Sequence, residues 1–224
     1  MVVQSAVLDE LRAMGSEQTR KTYAKHGVAI EQFGDSYAHL GALKKRIKID
    51  HDLACALWDS GIHDARVLAT MIADPLRADA TLLDAWARDL GNYTMADAVS
   101  GFVARTPLAV AKMGEWLDSD DEWHCTTGWN LLGLRALQEP ALPDDYFIPY
   151  LDRIARDLHG SKNRVRYAMN NALIAIGSRS AELARLATDA AARIGKVHVD
   201  HGATSCKTPD AATAIQKARA RKKS

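Results

Sequence analysis

Tyr93 and Asp97 lie four residues apart in a stretch with helical apolar spacing, so their side chains share one helix face. A carboxylate held there can stabilise a developing positive charge. A phenol ring beside it can pack on, or attract, a cationic group. The plain alternative is a carboxylate on a solvated helix. Lys44 and Lys45 open the run KKRIK, and Arg164 and Arg166 stand in NRVRY. Such cations can take the phosphates of a polyanion, which adds affinity and salt dependence without reading sequence; a solvated basic face would look the same. Asn170 and Asn171 are adjacent in a helix rich in Ala and Met. Side-chain amides cost helix propensity there and need partners, so they either bond a neighbouring element or line a cleft. His198, Asp200, His201 and Cys206 are metal-compatible donors, but their spacing matches no closed zinc site, and no metal is expected. His124 and Cys125 lack a third ligand nearby, and Cys125 reads as a small buried apolar residue. With neither a Walker loop nor GxGxxG, no nucleotide cofactor is expected.

These side chains must be positioned by helices. Apolar residues recur at helical spacing almost throughout, as at Leu53, Ala56 and Leu57, then Ala65, Leu68, Ala69 and Ile72. Gly61 and Pro75 close those two segments. Ser16 before Glu17 and Thr106 before Pro107 read as helix starts. Paired helices recur every roughly 35 to 40 residues with no strand between them, the spacing of HEAT-type repeats. The expected fold is therefore all-α, a HEAT-like or ARM-type α-solenoid of about five or six antiparallel helix pairs over residues 1–195. Trp58, Trp86, Trp116, Trp123 and Trp129 sit among Leu and Ala and read as core between repeats. Residues 196–224 form a polar, basic extension, packed on the last repeat or trailing from it, with room for a brief extended piece and a last helical turn or two from Pro209. Five of the final eight residues are Lys or Arg, which suits a solvated end.

The 224 residues suit one domain or a continuous repeat array with a buried core. No apolar run approaches the roughly 18 residues of a membrane helix, and the first residues carry acids and no basic region, unlike a secretory signal. Three scattered cysteines give no disulfide framework, so a cytoplasmic location is expected. The net charge of +1 hides an asymmetry: residues 153–224 hold 15 Lys and Arg against 5 Asp and Glu, whereas residues 1–152 hold 14 against 23. A basic third on a near-neutral chain can be the footprint of a polyanion.

Three segments resemble the AlkD-like DNA alkylation repair family of HEAT-like repeat DNA glycosylases. LACALWDSGIHDARVLATMIADP, residues 53–75, is similar to that family's Leu-Ala-Trp segment with a following Ala-Arg helix. Residues 84–99 place Tyr93 and Asp97 where the family has an aromatic, usually Trp, four residues before an Asp. Residues 163–184 resemble a helix that carries a second cleft Trp and an Arg. The resemblance implies a concave, basic solenoid that grips double-stranded DNA by its backbone, as a monomer without cofactor, associated with the nucleoid. It implies excision of cationic N3- or N7-alkylpurines, with Asp97 stabilising the sugar cation, Tyr93 packing beside it, and Lys44, Lys45, Arg164, Arg166, Asn170 and Asn171 as DNA contacts. The sequence departs from the family at Asn171 and Ile174, in place of the Trp and Arg, and at Thr126 or Thr127, where the family has another Arg. Those departures support an alternative, a non-catalytic helical scaffold for a protein or for structured DNA.

Overall fold

The computed structural model describes residues 3–221. Lys222, Lys223 and Ser224, part of the basic end, and the first two residues lie outside them. The described residues form thirteen α-helices and no strand: α1 (Gln4–Met14), α2 (Glu17–Lys25), α3 (Tyr37–Ile47), α4 (His51–Asp59), α5 (His63–Ile72), α6 (Ala80–Arg88), α7 (Tyr93–Val103), α8 (Ala109–Leu117), α9 (Glu122–Gln138), α10 (Ile148–Asp157), α11 (Asn163–Gly177), α12 (Ala181–Ile194) and α13 (Ala211–Arg221). Side chains start many of them. Ser16, Ser36, Asp50, Asp79, Asn92 and Ser180 each accept the N–H three residues on, which satisfies donors the helix cannot. Thr106 does not act this way. Its hydroxyl donates back to the Val103 carbonyl at 2.8 Å, closing α7, and α8 starts only at Ala109.

The chain clusters into two compact units. The first runs to Val110 and includes Gly202–Thr204. Here α5 is the centre, packed on by α3, α4 and α7. Eight of its ten residues are buried, including His63, Asp64 and Thr70, as expected of a helix enclosed on all sides. Gly61, at φ +71°, makes the turn from α4 into α5 in the left-handed region that glycine enters without a Cβ penalty. Trp58 of α4 stacks on Trp86 of α6, with ring centres 4.3 Å apart and planes 6° from parallel. Its indole N–H donates to Asp89 at 2.8 Å.

The second unit spans Ala111–His201 and continues from Ser205. In it α9 packs along α11, α11 on α12, and α10 on α12. Gly128 lets α9 press on the end of α8, since a Cβ there would lie 2.7 Å from the Leu117 nitrogen. Trp116 and Trp129 are buried, as are Trp58 and Trp86, which leaves only Trp123 half-exposed among the five. Residues 196–210 form no strand. The helix α13 is three turns long, more than its composition suggested, because Ala211 and Ile215 bury an apolar edge against α11 and α12.

Candidate functional site

The first unit holds an open cleft of about 370 Å³ whose walls come from one face of three helices. From α3 come Tyr37 and Lys44, from α5 Val67, Thr70 and Met71, and from α7 and the turn after it Asp97, Gly101, Phe102 and Arg105. The spacings are those of helix faces: 37 and 44, 67, 70 and 71, then 97, 101 and 105. Asp97 and Lys44, singled out from sequence on separate grounds, thus line one cavity, and both are exposed.

The cleft is held in shape from beneath. Asp64 of α5 is fully buried and accepts three backbone N–H groups, those of Phe33 at 2.7 Å, Gly34 at 3.3 Å and Asp35 at 2.7 Å. The Glu31 carbonyl accepts from the His63 N–H at 2.9 Å. These bonds fix the loop that leads into α3, and so fix Tyr37 at the first residue of that helix. The Tyr23 hydroxyl donates to the Asp35 carbonyl at 2.6 Å. Burial holds the Tyr23 phenol well above its ordinary range, with Asp64, Tyr37 and Asp35 adding to the effect. Asp35 itself is buried and bonded to His39. Its carboxyl is pushed up, first by desolvation and then by Asp64, while His39 pulls the other way.

Tyr37 keeps half its surface exposed, yet its phenol is pushed up, chiefly by desolvation and then by the Asp97 and Asp64 carboxylates and Tyr93. The Tyr37 hydroxyl therefore shares a field with Asp97. Tyr93, half-buried, is hydrogen-bonded through its hydroxyl to His26 at the end of α2, and the two rings meet edge to face at 5.8 Å. That fixes the Tyr93 ring one turn before Asp97. Arg105 is tied down as well. Its Nη2 donates to the Thr70 carbonyl at 2.8 Å and its Nε to the Gly101 carbonyl at 3.2 Å, and its guanidinium lies 5.6 Å from the centre of the Phe102 ring. Burial alone lowers its pKa. Tyr37, Arg105 and His26 were not singled out in the sequence. The i, i+4, i+8 series from Asp97 to Arg105 was the readable signal for Arg105, and the i, i+7 spacing to Lys44 the signal for Tyr37. His26 gave none, because its partner is 67 residues away.

Lys45 sits beside Lys44 on α3 and is exposed but does not line the cleft. The remaining candidates belong to the second unit, on α11. The Arg164 N–H donates to Glu122 at 2.7 Å, and its guanidinium lies over the Tyr167 ring. Arg166 donates to the His198 carbonyl at 2.9 Å. Asn170 has no exposed surface. Its amide donates to the Pro209 carbonyl at 3.1 Å, while its oxygen is buried without a partner. It takes up the neighbour-bonding role and also lines a cavity of about 610 Å³ with α12 and residues 195–197 and 208–212. Asn171 is half-buried. With Asn163, which exchanges bonds of 2.8 Å with Asp200 in both directions, α11 clasps the chain that follows α12. Thr126 and Thr127 are buried in α9, where an arginine would lack room. Among the described residues, no three His, Cys, Asp or Glu side chains converge as metal ligands, and no helix is long and apolar enough to cross a membrane.

The basic C-terminal third is answered in part within its own unit. Arg153 pairs with Asp118 at 2.8 Å, Arg193 with Asp152 at 3.4 Å and Arg179 with Asp144 at 4.0 Å. Counted by unit, the first carries 12 Lys and Arg against 14 Asp and Glu, and the second 17 against 14. The asymmetry between chain halves shrinks to −2 and +3.

A family profile described as DNA alkylation repair enzyme matches residues 7–215. An uncharacterised protein of Listeria innocua is 28% identical over 219 residues, 95% of each chain. Another from Listeria monocytogenes is 28% identical over 221 residues, 96% of each. A solved structure described as a new family of proteins related to the HEAT-like repeat DNA glycosylases with affinity for branched DNA structures superposes with a TM-score of 0.88 at 28% identity, covering 99% of this chain and 95% of that one.

Proposed function

Because this chain belongs to the DNA alkylation repair enzyme family, with the HEAT-like repeat fold, we propose that it binds DNA by the sugar-phosphate backbone at the cleft of the first unit. The observation that carries this is the joint lining of one cavity by Lys44 and Asp97. A cation there takes phosphate, and a carboxylate there faces the sugar or base. The affinity for branched DNA attributed to the structural relative makes junctions the first ligands to try. Fluorescence anisotropy with a duplex, a four-way junction and a single strand, each across a salt series, tests the reading. Affinity for double-stranded forms that falls steeply with salt supports it. No binding at low salt overturns it.

A second reading, excision of cationic alkylpurines, is favoured by the field that Asp97 exerts on Tyr37 and by the fixed ring of Tyr93. An alkylated purine leaves as a neutral base, taking the electron pair of the glycosidic bond. Positive charge then builds on the sugar, where Asp97 would stabilise it. Water adds at the anomeric carbon and gives up a proton. Asn171 and Thr126 or Thr127, standing where the family has Trp and Arg, weigh against full activity. Base release from an N7-methylguanine duplex decides. Release lost in Asp97→Asn with DNA binding kept supports the role, and release unchanged in that variant removes it.

A further inference from the structure

Two cations line the cleft, and only Lys44 has so far been given work. Arg105 has five N–H donors, and two are spent on the Thr70 and Gly101 carbonyls. Both partners are neutral. Among the described residues, no carboxylate forms an ion pair with Arg105 or with Lys44. Arg105 is exposed, so its charge stands without a counter-ion at little cost and is open to an arriving anion. The guanidinium is also immobilised before any ligand binds. Its Nε bond uses a carbonyl near the end of α7 that the helix cannot satisfy, and the Phe102 ring supports one face. Three N–H groups remain, two of them on Nη1, a set that suits the paired oxygens of a phosphate. Asp97 lines the same cavity without forming an ion pair with Arg105. The carboxylate does not serve as its partner, and the anion site and the carboxylate remain separate features of one cleft.

We propose that Arg105, together with Lys44, is a preformed receptor for one phosphate group of a DNA strand, leaving Asp97 to face the sugar that the phosphate carries. The proposal rests on the DNA-binding reading and gives it a register: the bound phosphate fixes which nucleotide lies against Tyr37 and Asp97.

The test uses the full chain and the salt series above, with Arg105→Gln, Arg105→Lys and Lys44→Gln. Losing one phosphate contact lowers the slope of log K against log salt by about 0.9 for duplex DNA. The expected result is that slope change in Arg105→Gln, with affinity falling roughly tenfold on every sequence tested. Arg105→Lys keeps the slope but binds more weakly, because an ammonium cannot pair with two oxygens. Lys44→Gln makes no structural bond to lose, so it reads the same site should Arg105→Gln unfold. Wild-type slope and affinity in both glutamine variants overturn the proposal while leaving the DNA reading intact. If the wild type binds no DNA, that reading fails, and the receptor is decided by the Arg105 Nε–H resonance. A saturable shift with inorganic phosphate, but not with chloride at equal ionic strength, upholds it. No shift overturns it.

Discussion

His63 shows how much one side chain can decide. It is fully buried, both ring nitrogens lack a partner, and its ring meets Tyr23 edge to face at 4.9 Å. Burial lowers its pKa below the ordinary 6.5, Asp64 opposes this and Arg66 adds to it. The unfolded chain therefore takes up a proton near pH 6.5 that the folded chain refuses, so stability falls as pH drops below that value. His63→Phe should flatten the melting temperature between pH 5 and 7, where the wild type declines. A variant that declines equally would assign the acid sensitivity to another group. Nothing in the sequence marked His63, because the Ala-Arg helix that contains it reads as an ordinary amphipathic segment. Its burial comes from α3, α4 and α7 closing around α5, which is tertiary information.

At the level of elements, the sequence was legible wherever a periodic face or a cap was present. The helices over residues 53–75 and the Ser16 cap follow from spacing alone. The Thr106 start failed because a hydroxyl can bond backward as readily as forward. The loop before α3 was not legible, since it is held by Asp64 from 30 residues downstream. Asp64→Asn puts an amide N–H against backbone donors and should cost about 3 kcal/mol, within the range for charge-assisted bonds lost in a buried site. Urea denaturation measures it, and a loss under 1 kcal/mol would mean that the loop holds itself. Two glycines of α9 make a paired test. Gly128→Ala drives a Cβ into the Trp116–Leu117 backbone and should cost about 1–3 kcal/mol. Gly133→Ala meets nothing closer than 3.7 Å and should gain up to about 1 kcal/mol from helix propensity. Equal effects at the two sites would show that packing against α8 does not set the position of α9.

Over the whole molecule, charge read along the chain differed from charge read in the fold. The acidic stretch 111–152 and the basic residues after it fold into the same unit and neutralise each other there. Part of the apparent polyanion footprint is thus internal pairing, as at Arg153, Arg179 and Arg193, and Arg166 and Asn170 are occupied by chain that follows α12. Half of the candidate site was legible, the half that lies on α3 and α7 with regular spacing. His26 was hidden because its partner is distant in sequence, and the surroundings of the α11 candidates depended on where the C-terminal segment returns, which no local pattern encodes. Few phosphates should therefore be neutralised. The slope of log K against log salt for duplex binding should lie between about −2 and −4, as for two to four contacts. A slope near −9 would require a basic surface beyond the cleft.

The stacked indoles of Trp58 and Trp86 carry a further consequence. Two near-parallel chromophores at 4.3 Å couple their electronic transitions, and the strong indole band of the far ultraviolet splits into a paired circular dichroism signal. Trp116, Trp123 and Trp129 take no part in that stack. The protein thus contains its own optical gauge of the first unit. Its signal can be followed while DNA is added, and Trp58→Phe removes it as the blank.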